Sequence, residues 1–91
     1  MVISIVSFDL AKYPDIEDAA WKAYWFLRKH SDHAYDLEEL YRQLSGLASK
    51  NALLDALTYL TDIEVLDERS VDGMAYYAHL RDLPHAKAVE G

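Results

Sequence analysis

Apolar positions change their period partway along the chain. Between residues 15 and 60 they recur at helical spacing, and between 63 and 80 they alternate. Ile16, Ala19, Ala20, Ala23, Tyr24 and Leu27 predict a helix over 15–30, with Trp21, Trp25 and Phe26 widening its apolar stripe. Asp15 is the expected N-cap, with Pro14 just ahead of it, and Asp18 stands where an acidic capping partner would. Arg28, Lys29 and His30 close the helix where cations suit its dipole. Ser31-Asp32-His33-Ala34 reads as a linker with room for a very short strand. Asp36 caps a second helix, Glu39 completes its capping box, and Tyr35 is placed to staple against Leu40. Leu37, Leu40, Tyr41 and Leu44 line its inner face, and Ser45-Gly46 ends it. Ser49 caps a third helix over 49–60, with Ala52, Leu53, Ala56, Leu57 and Leu60 inward and Thr61-Asp62 at its end.

Two stretches read as extended. Val2-Ile3-Ser4-Ile5-Val6-Ser7-Phe8 is rich in β-branched residues and predicts a strand or arm, pairing beside the hairpin or with another chain's sheet edge. Ile63 to Asp67 predicts a strand, 69–73 a turn around Asp72-Gly73, and Met74 to Leu80 the return strand. Pro84 stops the sheet, and 84–91 reads as a frayed tail. The expected fold is α+β, one domain over 1–91. It has an N-terminal strand or arm within 1–14, a three-helix core over 15–62 and a β-hairpin over 63–80.

Charge and composition narrow the function. Nine Lys and Arg stand against sixteen Asp and Glu, a formal charge of -7. Such a surface repels phosphate backbones at long range and suits a neutral or basic protein partner. There is no cysteine, which excludes disulfides, thiolate metal sites and cysteine nucleophiles and fits a cytoplasmic protein. The apolar start is too short and lacks the basic flank of a leader, and no segment approaches the roughly 20 apolar residues a membrane span needs.

The order helix, turn, helix, hairpin over 33–80 resembles the winged helix-turn-helix superfamily in element order and spacing; no single family within it stands out. The resemblance implies that helix 49–60 is a recognition helix and 69–73 a wing tip. Ser49, Lys50, Asn51, Leu54 and Asp55 would then face a major groove, Arg69, Ser70 and Asp72 would flank the backbone or minor groove, and Arg42 would touch the backbone. Asn51 suits an adenine edge and Lys50 a guanine or phosphate. A duplex reader neutralises many phosphates. Here 49–62 offers one Lys against Asp55 and Asp62, and 63–80 offers Arg69 alone against Glu64, Asp67, Glu68 and Asp72.

Winged helices also serve as protein-docking modules, and the charge pattern favours that use. The expected interface residues are Trp21, Trp25, Tyr76 and Tyr77, large rings with polar handles, acting in a homodimer or against a separate partner. Catalysis and metal binding are not expected. His30 and His33 lack a third ligand at a telling spacing, the carboxylate clusters sit on adjacent positions that do not face each other, and no phosphate loop or nucleophile elbow is present. No cofactor is implied.

Overall fold

The computed structural model describes residues 2–83. Its first element is a helix, α1 (Ile5–Asp9), where the β-branched run predicts a strand. Ser4 caps it, its hydroxyl accepting from the Val6 amide at 3.1 Å. Val6 and Leu10, four apart, are buried together in the core. A helical turn puts both on one face and turns Phe8 outward, where it is 67% exposed, whereas a strand would put Phe8 on the same face as Val6. So short a helix has little stability of its own and exists here because it packs on the next one.

α2 (Pro14–Lys29) is the longest element. Its N-cap is Tyr13, which makes no side-chain cap bond. The expected cap, Asp15, lies inside the first turn, because Pro14 needs no amide partner and begins the helix itself. Asp15 and Glu17 at the start and Arg28 and Lys29 at the end complement the dipole. Ala19, Ala20, Trp21, Ala23, Tyr24 and Leu27 are its buried residues.

A short strand β1 (Tyr35–Asp36) runs directly into α3 (Leu37–Gln43), just beyond the predicted linker. Asp36 caps α3 as expected, its carboxylate accepting from the Glu39 amide at 2.8 Å. Glu39 does not return the bond; its side chain is taken by Arg42 and Gln43. The helix closes at Leu44, ahead of Gly46, whose φ of +75° turns the loop. Lys22 of α2 holds that loop by donating to the carbonyls of Ser45 and Gly46 at 3.1 and 3.3 Å.

α4 (Lys50–Asp62) follows, capped by Ser49, which accepts from the Ala52 amide at 3.0 Å. Its predicted inner face, Ala52, Leu53, Ala56, Leu57 and Leu60, is buried in full. α2 and α4 pack closely, their alanines and leucines sharing one core.

The chain leaves α4 through a turn that the pattern does not announce. Val65 N–H donates to the Leu60 carbonyl at 2.9 Å, and Glu64 N–H to that of Thr61 at 3.0 Å. Glu64 is left-handed, with φ 64°. This is a Schellman closure with glutamate where glycine is usual, and buried Val65 joins Leu60 in the core. Residues 63–65 are therefore turn, and the strand predicted from Ile63 begins later, as β2 (Leu66–Val71). β3 (Met74–His79) returns antiparallel, with Val71 opposite Met74 and Leu66 opposite His79. Asp72 and Gly73, φ 53° and 78°, make the two-residue type I′ turn that their sequence favours.

The sheet is three-stranded and open, in the order β1-β3-β2. Among the described residues, four helices and this sheet make an α+β arrangement of coarse winged-helix-like topology, with helix-turn-helix-like packing and a C-terminal hairpin. Tyr24 accepts from the Leu83 amide at 3.0 Å, tying the stretch after the hairpin to α2. The predicted tail 84–91 lies outside the described residues.

Candidate docking surfaces

Most of the positions that the winged-helix resemblance assigns to DNA make contacts within the chain. Ser49 spends its hydroxyl on the α4 cap. Lys50 pairs with Glu38 and stands 5.8 Å over the Tyr41 ring. Arg42 pairs with Glu39, whose carboxyl is held below its usual range by hydrogen bonds from Gln43 and then Arg42. Arg69 is in β2 rather than at a loop tip, because only Asp72 and Gly73 form the turn; it bonds Asp67 at 2.9 Å. Each of these three cations thus has a carboxylate beside it. Asn51 is exposed, in a cleft of about 390 Å³ shared with Lys12, Tyr13, Asp15, Ser49 and Asp55. There the loop before α2 lies alongside the start of α4.

The expected interface residues divide. Trp21 is 3% exposed, with its indole donating to Glu17 at 3.3 Å and its ring edge-on to Tyr24. Tyr77 is 5% exposed on the inner face of the sheet, and burial followed by the charge of Glu68 pushes its hydroxyl up in pKa. Both serve the core, because helical spacing and strand parity turn them inward, and neither offers a surface. Trp25 and Tyr76 are half-buried and do border open hollows.

Tyr76 belongs to the outer face of the sheet. Strand pairing places it opposite Arg69, and Ala78 opposite Asp67. With Ala34 and Val71 they line a largely apolar hollow of about 490 Å³, closed on one side by the Asp67–Arg69 pair. Trp25 lines a groove of about 440 Å³ between α2 and the end of α3, with Lys22, Phe26, Lys29, Gln43, Leu44 and Ser45. Arg28 stands 5.5 Å over the Trp25 ring and bonds Asp82 at 2.9 Å, which holds that carboxyl below its ordinary range. His79 Nε2 is 2.9 Å from the same carboxylate.

The groove was not singled out from sequence, although a signal exists: Lys22, Trp25, Phe26 and Lys29 stand at i, i+3, i+4 and i+7, one stripe of a helix. What hides it is the partner wall, Gln43 to Ser45, which only folding brings across.

A last apolar region lies at the other end. Val2, Ile3, Ile5 and Phe8 are 73%, 57%, 53% and 67% exposed. They are the outward side of the segment whose inward side is Val6 and Leu10. Asp9 accepts from the Tyr59 hydroxyl at 2.6 Å, fastening α1 to α4; burial, and then that bond, push the Tyr59 pKa up.

Among the described residues no three His, Asp or Glu side chains gather as metal ligands. No described helix is long and apolar enough to cross a membrane. Comparison with protein-family models, with curated proteins and with solved structures gives no match, so the winged-helix likeness rests on element order and topology.

Proposed function

We propose that this chain is a non-catalytic winged-helix module that docks a protein partner in a regulatory or adaptor role. The observation that supports this most is where the counter-charges sit. Arg42, Lys50 and Arg69, the cations a DNA-reading winged helix would use, are bridged by Glu39, Glu38 and Asp67. Asp55 and Asp62 are also exposed on α4. The large exposed apolar side chains support protein contact in the same sense. A second copy is one such partner. The Val2, Ile3, Ile5 and Phe8 side chains carry no charge, so two copies of a -7 chain meet there with least repulsion.

The competing function is an acidic transcriptional regulator reading DNA through α4, with Asn51 exposed for base contact. Fluorescence anisotropy with random-sequence duplex at low ionic strength separates the two, because phosphate attraction is strongest there. No binding at micromolar protein is the expected result, and a salt-sensitive isotherm gives the molecule to DNA. Sedimentation equilibrium in the same buffer checks the homodimer, which requires twice the chain mass.

A further inference from the structure

We infer that the groove between α2 and the end of α3 receives an acidic segment of a partner protein, with an apolar side chain set between Trp25 and Leu44 and a carboxylate held by Lys29. This rests on the docking function proposed above and gives it a site and a partner chemistry.

The argument is one of local charge against global charge. The chain is -7 overall, yet among the described residues the groove is lined by Lys22 and Lys29 and by no carboxylate. Two other hollows among the described residues differ: one holds Asp15 and Asp55 against Lys12, and the sheet hollow holds the Asp67–Arg69 pair. The two lysines of the groove are not equivalent. Lys22 is committed, bridged to Asp18 at 3.0 Å and donating to the Ser45 and Gly46 carbonyls. Lys29 is exposed, and among the described residues it makes no ion pair. It lies at the C-terminal end of α2, one turn from Trp25.

The floor supplies the apolar half. Trp25, Phe26 and Leu44 are partly buried hydrophobics packed against the core, so their exposed remainder is rigidly held. Rings presented this way cost little ordering on binding, and tryptophan is the residue most often found to dominate an interface. The groove volume of about 440 Å³ accommodates one or two side chains, not a long ligand.

That size also separates a protein segment from a nucleic acid. Beyond the groove lie Asp18 and Asp82 along α2's side and Glu39 beside Gln43. A nucleic acid carries phosphate at every step and would meet them. A peptide confines its carboxylates to the groove and is neutral outside it.

The test is an NMR titration of the full chain with a blocked peptide in which a leucine-phenylalanine pair is flanked by glutamates. The controls are the same peptide with lysines for glutamates, and oligothymidylate. Saturable shifts at the Trp25 indole N–H and the Lys29 and Gln43 amides are expected. Lys29→Glu, at an exposed site, should leave the spectrum folded and weaken the glutamate peptide about tenfold, as reversing an interface charge does. Four results overturn the inference: no saturable shift at millimolar peptide, equal or tighter binding of the lysine peptide, oligothymidylate binding at the same residues, or cross-peaks in the free chain placing residues after Leu83 in the groove. A peptide failure alone leaves the docking function standing, because a partner can seat elsewhere. Duplex binding in the anisotropy experiment removes the docking function whatever the peptide does.

Discussion

α2 and α4 share one core and turn opposite chemistry to the solvent. The C-terminal half of α2 presents Lys22, Arg28 and Lys29 around Trp25. α4 presents Asn51, Leu54, Asp55, Thr58 and Asp62. For α2 the helix itself is a sufficient cause, since cations at its end and acids at its start answer the dipole. α4 is charged against its dipole. Lys50 stands at its first position and Asp62 at its last, with no acid in the first turn and no base in the last. Glu38 of α3 offsets Lys50, whereas among the described residues Asp62 makes no ion pair. On the helix that the superfamily resemblance marks as the DNA reader, Lys50 is paired with Glu38, and Asp55 and Asp62 stand exposed. Net charge alone does not reveal this; the placement of six ion pairs does, Lys22–Asp18, Arg28–Asp82, Arg42–Glu39, Lys50–Glu38, Arg69–Asp67 and Arg81–Glu64.

The contrast can be broken at its root by removing the shared core. Leu57, fully buried on α4, should cost about 2–5 kcal/mol on Leu57→Ala, the range for a large-to-small change in a packed interior. Urea unfolding checks it, and a loss under about 1 kcal/mol would mean that α2 and α4 are not held by this seam. Next comes the difference in how the two helices start. α4 depends on Ser49, so Ser49→Ala should cost about 1 kcal/mol and expose the Ala52 amide to hydrogen exchange, whereas α2 begins on Pro14 with no side-chain cap to lose. The smallest effect sharpens the dipole argument. Asp62→Lys should raise stability by about 0.3–1 kcal/mol, because it replaces an anion by a cation at a helix C-terminus. A loss on that substitution would show that Asp62 does structural work which the dipole argument leaves out.

Local rules carried much of the architecture. α4 was legible because Ser49, the inner leucines and alanines and Asp62 agree on one helix, and the hairpin tip because Asp72-Gly73 suits only a tight turn. Asp36 was legible as a cap for the same reason. The failures share a different cause. Val2 to Phe8 has strand-like residues, but Ser4 caps a turn and the core takes Val6 and Leu10 while leaving Phe8 outside, which a strand's alternation would not allow, so packing overrode propensity. Glu64 hid a helix closure because the signal for it is glycine, and the strain of a left-handed glutamate is met by two hydrogen bonds and the burial of Val65. Trp21 and Tyr77 looked like interface residues because ring size does not say which way a side chain points. The α2–α3 groove was half visible, as a helical stripe, and lacked its second wall until the chain folded.

The unequal margins of the sheet carry a consequence for handling the molecule. On one margin β1 is only two residues long, and on the other β2 is six residues carrying Asp67, Glu68 and Arg69. A short strand gives an incoming chain little backbone to zip onto, and a charged one makes ladder growth between identical copies self-repelling. Concentrated samples should therefore resist fibrillar stacking through the hairpin, even though the outer sheet face between those margins is oily.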